Sequence, residues 1–257
     1  MRRRLLLTLL FSLVLLPSAH AEVPALSWQL LRTIPRLPNH FTQGLVYAGP
    51  QLFESTGRYG QSRLIAYDAA TLQLQQQHFL RSDVFGEGLT FLGGRLYQGS
   101  WKSREIFVYD TRLQPLQTLA ITGDSWGLTT DGKALIMSDG SPVLQLLDPA
   151  TAQVLRTLTV SDASGTVWRD LNELEWVDGH ILANVWHRDT VLVIDSQSGR
   201  VRARYDLDAL AATLRQYMPV RNSEQVLNGM AWNPATRTLL VTGKDWPVWF
   251  ELQLTLH

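Results

Sequence analysis

Glu87 is the residue of this sequence best placed to move a proton. It stands in Phe85-Gly86-Glu87-Gly88-Leu89, between two glycines and close to an aromatic side chain. A carboxylate held against apolar surface has its charged form disfavoured. Its pKa then rises toward the range in which a general acid/base works at neutral pH. The same position also suits a structural carboxylate that accepts strand amides, and position alone does not separate the two. Three tryptophans keep register with it. Trp101 lies 14 residues after Glu87, Trp186 lies 14 residues after Asn172, and Trp126 occupies the Glu87 slot of another segment. Three rings brought to one place make an aromatic pocket for an uncharged or weakly cationic ligand. Lys244, 16 residues after Asn228, falls near the same rim with Trp246, although a single rim lysine is more often solvated than functional. Trp28, Trp168, Trp176, Trp232 and Trp249 are expected to pack in the core.

Several chemistries are absent. The chain has no cysteine, which removes thiol catalysis and zinc-finger sites. His40, His78, His180, His187 and His257 form no H-x-x-x-H pair, so no His-rich zinc site is expected, no metal ligand is assigned and no cofactor is called for. Gly123-Asp124-Ser125-Trp126-Gly127 matches G-x-S-x-G, but that elbow requires a following helix. Here Leu128–Thr130 leads into an Asp-Gly turn, and the match reads as accidental.

The elements that must position these residues show themselves as a repeat. Gln43-Gly44-Leu45, Glu87-Gly88-Leu89, Trp126-Gly127-Leu128, Asn172-Glu173-Leu174 and Asn228-Gly229-Met230 share one signature, with first residues 44, 39, 46 and 56 positions apart. Spacing near 45 is that of a four-stranded propeller blade. A second strand follows each signature, at Gln51–Thr56, Arg95–Ser100, Ala134–Asp139, His180–Trp186 and Thr238–Thr242. Third strands end in Asp68, Asp110, Asp148, Asp195 and Glu251, at offsets of 25, 23, 22, 23 and 23 from the signature. Fourth strands, such as Leu72–Leu80 and Val201–Leu207, complete the first four units. The fifth unit breaks off at His257, and Trp28–Pro35 is expected to supply its missing strand, closing the ring. The fold class is all-β, a five-bladed β-propeller with one insertion. In that insertion Leu207, Leu210, Ala211, Leu214 and Met218 trace a helical stripe over Asp206–Met218, with Asp206 as possible N-cap. The signature residues then converge on one mouth of the central channel.

Composition fits this frame. The 257 residues are 45% hydrophobic with 23 basic and 23 acidic side chains, which argues against disorder and against a nucleic-acid partner. Arg2, Arg3 and Arg4, an apolar run from Leu5 to Leu16 and Ala19-His20-Ala21 read as a secretory signal cleaved after Ala21. Losing three arginines leaves residues 22–257 mildly acidic, as one catalytic domain. An exported chain, periplasmic or secreted, is expected, with no membrane association after cleavage and as a monomer.

Phe41-Thr42-Gln43-Gly44-Leu45, Phe53-Glu54-Ser55-Thr56-Gly57, Phe85-Gly86-Glu87-Gly88-Leu89-Thr90, Trp126-Gly127-Leu128, Leu171-Asn172-Glu173-Leu174-Glu175, Asn184-Val185-Trp186, Leu227-Asn228-Gly229 and Thr242-Gly243-Lys244 with Trp246-Pro247 resemble the plant-type and bacterial glutaminyl-peptide cyclotransferases. The resemblance implies a five-bladed propeller that converts an N-terminal glutaminyl residue of peptides or proteins to pyroglutamyl with release of ammonia. It implies Glu87 as the proton-shuttling acid/base. Gln43, Asn172, Trp101, Trp126, Trp186 and Lys244 would line the substrate pocket, with Phe41 and Phe85 beside them. Ser125, where plant members usually carry glycine, and the Trp101-Lys102-Ser103 segment depart from the family pattern. They bear on substrate preference more than on the reaction. Two other classes use the same residues differently: a non-catalytic propeller that binds peptides, and a calcium-dependent lactonase-type hydrolase with a cage at Glu87, Asn172 and Asn228.

Overall fold

A computed structural model describes residues 22–36 and 40–255. The expected signal segment at residues 1–21 and the terminal His257 lie outside the described residues. Strand β1 (Trp28–Pro35) is the first strand among the described residues. The first blade follows with β2 (Thr42–Ala48), β3 (Gln51–Thr56), β4 (Arg63–Asp68) and β5 (Leu74–Phe79). The second comprises β6 (Phe85–Leu92), β7 (Arg95–Trp101), β8 (Glu105–Tyr109) and β9 (Pro115–Ala120). The third comprises β10 (Leu128–Thr130), β11 (Leu135–Met137), β12 (Val143–Leu147) and β13 (Val154–Thr159). The fourth comprises β14 (Leu171–Val177), β15 (His180–Val185), β16 (Thr190–Asp195) and β17 (Val201–Asp206). Helix α1 (Leu210–Tyr217) precedes β18 (Leu227–Asn233), β19 (Thr238–Gly243) and β20 (Val248–Leu254). Each blade is a four-stranded antiparallel meander, and the last has the order β1-β20-β19-β18. The N-terminal strand therefore completes the fifth blade over the residues expected, with Trp28 opposite Leu254 and Pro35 opposite Val248.

Burial is organised by the seams between blades. Five core clusters each join two neighbours. Leu45, Leu52 and Ile65 of the first blade, for example, pack with Ala231, Leu240 and Trp249 of the fifth. The inner strands meet so closely that a Cβ on Gly88 would lie 2.3 Å from the backbone nitrogen of Leu128 in the next blade. Only a residue without a side chain fits there.

Strand ends shift by one to three residues from the sequence reading, as where β20 runs past Glu251 to Leu254 and β5 covers Leu74–Phe79 rather than 72–80, and two differences bear on the insertion and the site. The helix begins at Leu210, not Asp206, and has no side-chain cap. Asp206 ends β17, where both its carboxylate oxygens accept Arg204 Nε at 3.1 and 3.0 Å, so its side chain is already committed. Leu210 and Leu214 anchor the short helix on the seam between the fourth and fifth blades. In the third blade the second strand is Leu135–Met137 rather than 134–139. Ser138 turns inward, with its Oγ accepting the amide of Gly127 and donating to the carbonyl of Asn172. Trp126 and Gly127 consequently sit just ahead of β10 rather than within it.

Candidate active site

The signature residues are aimed by breaks in register. The inner strands shift between Thr42 and Gly44, Gly86 and Leu89, Leu171 and Leu174, and Leu227 and Met230. Gln43, Glu87, Asn172 and Asn228 all fall on these irregularities. A bulge re-aims a side chain out of the regular alternation. Here it turns them into the channel mouth, where residues of all five blades enclose a cavity of about 270 Å³. Phe41, Gln43, Phe85, Glu87, Trp101, Trp126, Asn172, Trp186 and Lys244, every site residue expected from the sequence, line it together with Glu224.

Two aromatic walls face this space. On one side Phe41 meets Phe85 edge-on at 6.1 Å, and Phe85 meets Trp101 at 5.6 Å. On the other, Trp126 and Trp186 stand edge to face at 5.6 Å, and the His187 ring lies 4.2 Å from that of Trp186, tilted by 42°. Lys244 joins the walls: its Nζ lies 4.9 Å from the Phe41 ring centroid and 5.6 Å from that of Trp186. Its backbone bridges to Phe41, and the residue is 5% exposed, so the solvated rim lysine expected from sequence is instead buried.

The polar end of the cavity is one hydrogen-bonded chain. Asn172 Nδ2 donates to Asn228 Oδ1 at 2.8 Å, and Asn228 Nδ2 donates to Gln43 Oε1 at 2.6 Å and to the Thr42 carbonyl at 2.9 Å. Those acceptances orient the Gln43 amide, whose side chain hydrogen-bonds Glu87. Burial pushes the Glu87 carboxyl well above the usual carboxylate range. Lys244 and the bond from Gln43 oppose that rise, and the charge of Asp124 adds to it. Burial pulls the Lys244 ammonium down, against the attraction of Glu87, Glu224 and Asp245. The arrangement offers one buried carboxyl whose pKa is raised above the usual carboxylate range, beside a cationic donor and an amide network, under aromatic walls.

Asn228 is the hub of this chain; the sequence places it in the repeat and in the alternative calcium cage, but not among the residues of the peptide pocket. Glu224 was missed because it sits on the insertion after α1, outside the repeat register. Trp246, expected at the rim, is instead buried; its Nε1 donates to the Gln225 carbonyl at 3.0 Å and its ring packs on Phe250. Trp232 and Trp249 are core residues, while Trp28, Trp168 and Trp176 are partly buried against the seams. Ser125 is fully buried and followed by strand β10, so the G-x-S-x-G match forms no nucleophile elbow. Among the described residues, no group of three or more His, Cys, Asp or Glu side chains is arranged to hold a metal ion.

A family model described as glutamine cyclotransferase matches residues 5–254. The glutaminyl-peptide cyclotransferase of Arabidopsis thaliana is 38% identical over 231 residues, spanning 88% of this chain and 71% of its own length. The crystal structure of Myxococcus xanthus glutaminyl cyclase is similar with a TM-score of 0.84 at 33% identity, over 92% of this chain and 100% of that one.

Proposed function

The chain belongs to the glutamine cyclotransferase family, and from that membership we infer that it is a glutaminyl-peptide cyclotransferase in which Glu87 shuttles the proton. The substrate is a peptide or protein with a free N-terminal glutamine, and the products are its pyroglutamyl form and ammonia. One observation carries the role of Glu87: of the two carboxyls among the described residues that line the five-blade mouth, Glu87 and Glu224, it is the buried one, hydrogen-bonded by an oriented glutamine and raised in pKa by its burial.

The substrate brings its own nucleophile. Its α-amine nitrogen attacks the side-chain amide carbon, forming the bond that closes a five-membered lactam. The aromatic walls hold the glutamine curled, which supplies the proximity term and keeps out competing water. Glu87 as carboxylate takes a proton from the attacking nitrogen. The carbonyl oxygen gathers negative charge in the tetrahedral species, within the reach of Lys244 and the Asn172 amide as donors, an effect of several kcal/mol for one well-placed group. Glu87 then hands its proton to the former amide nitrogen, the carbon–nitrogen bond breaks, and ammonia leaves. The carboxylate is restored without a second acid.

Transfer of the acyl group to the internal amine makes this an acyltransferase step, and no metal is required by it. Export after loss of residues 1–21 and action as a monomer belong to the same proposal. Among the described residues no helix is long and apolar enough to cross a membrane. Mass spectrometry of a Gln-initiated peptide incubated with the protein tests the reaction. Loss of one ammonia, unchanged in EDTA and absent from the N-acetylated peptide, is expected. Activity abolished by EDTA and restored by zinc contradicts the metal-independent path, and cyclisation of the acetylated peptide contradicts attack by the α-amine.

A further inference from the structure

We propose that Tyr59 and Trp101 form a subsite for the side chain of the residue that follows the N-terminal glutamine, favouring apolar and aromatic residues there. The inference rests on the cyclotransferase reading and extends it to substrate preference. Tyr59 is a large aromatic residue left 48% exposed at the mouth, on the connection between β3 and β4. Its ring lies 5.5 Å from that of Phe85 and 6.5 Å from that of Trp101, tilted by 34° to the latter. The inner aromatic wall thus continues outward onto an open face.

The loop that carries Tyr59 is tightly held. The amide of Gly57 donates to the Phe41 carbonyl at 2.8 Å, that of Gly60 to the Ser82 carbonyl at 2.9 Å, and Ser62 Oγ to the Arg58 carbonyl at 2.7 Å. Arg58 pairs with Asp245 at 2.6 Å and lies over the Phe41 ring at 4.5 Å. Gly57 is pressed so closely on Phe85 that a Cβ would lie 2.2 Å from its ring. An exposed ring on a fixed backbone is a preorganised contact surface, since binding to it orders little. Geometry supplies the occupant. The α-amine must reach buried Glu87, so the peptide leaves through the mouth, and the second residue starts one Cα spacing, about 3.8 Å, further out. Tyr59, Phe85 and Trp101 offer an outward aromatic surface beside this path. Lys102 beside it, with Nζ 4.0 Å from the Trp101 ring centroid, disfavours a second cation.

The test compares kcat and KM on Gln-Phe, Gln-Gly and Gln-Lys peptides for the wild-type protein, Tyr59→Ala and Tyr59→Phe. The wild type should favour Gln-Phe over Gln-Gly and Gln-Gly over Gln-Lys. Tyr59→Ala should lower kcat/KM on Gln-Phe roughly three- to tenfold through KM, the size of one aromatic contact. It should leave Gln-Gly within about twofold, and Tyr59→Phe should retain the preference. Equal losses on all three peptides would mark Tyr59 as merely structural, and unchanged constants would remove it from the substrate's path. Both outcomes overturn the subsite while leaving cyclisation intact. A wild-type protein that cyclises none of the peptides overturns the function itself, and the subsite with it.

Discussion

A carboxyl that takes a proton and returns it in the same turnover, as proposed for Glu87, needs a pKa raised toward the working pH, and the surroundings of Glu87 act on its pKa from opposing directions. Burial and the Asp124 charge raise it, while Lys244 and the Gln43 hydrogen bond lower it. The base form exists only above this raised pKa, so kcat should fall on the acid side at a pH above the ordinary carboxylate value of about 4.3. Asp124→Asn removes a raising charge and should move that limb to lower pH. Lys244→Met removes a lowering charge and should move it higher. The pH dependence of kcat in the two variants checks the sign, and shifts in the same direction would contradict the assignment. These residues were legible in the sequence because the repeat superposes them: Glu87, Trp126 and Asn172 occupy one slot, and Trp101 and Trp186 share an offset. The burial of Lys244 was not legible. It depends on a bridge to Phe41, far away in sequence, which no local pattern records.

The elements were readable wherever local alternation and turns decide them, and less so where a tertiary contact claims a residue. Asp206 looked like a helix cap until Arg204 took its carboxylate, and Ser138 left the ladder to bind across to Asn172. The closing strand was legible because the fifth repeat lacked a fourth strand. What fastens it was not. Just beyond β1, buried Arg36 contacts Glu54 of β3 at 2.5 Å, donates to Thr42 and Thr242, and lies over the Trp249 ring at 4.7 Å. Burial alone would raise the Glu54 carboxyl, but the Arg36 guanidinium and the bonds from His40 and Thr42 outweigh it and hold the group well below the usual range. Its contribution to stability is therefore present above the unfolded-state carboxylate pKa and is lost as pH falls. Arg36→Ala leaves that charge buried without its main partner and should cost about 3–5 kcal/mol. Arg32→Ala, on β1 itself, removes an ion pair to Glu251 from a side chain that is 64% exposed, and should cost under about 1 kcal/mol. Denaturant unfolding of both variants measures the contrast, and equal losses would contradict the latch.

At the scale of the whole molecule, the ring of blades is held without disulfides. The chain has no cysteine, and its stability rests on five apolar seams, the last of which joins the first blade to the fifth. The same closure assembles the site, because no single blade holds more than three of the ten residues that line the cavity. A mouth built this way brings one buried carboxyl, an amide chain and two aromatic walls together from segments that are far apart in sequence. The count of blades and the convergence could be read from the period of the repeat. The bulges that aim the side chains could not, since register against a neighbouring strand is a property of the pair. The proposed function requires Glu87 as the proton carrier within this frame. Ammonia release from a Gln-initiated peptide by Glu87→Gln, measured beside the wild type with matching circular dichroism and melting, tests it most directly. Glu87→Gln should give a correctly folded propeller with turnover reduced at least about a hundredfold. Wild-type turnover in that variant would contradict it.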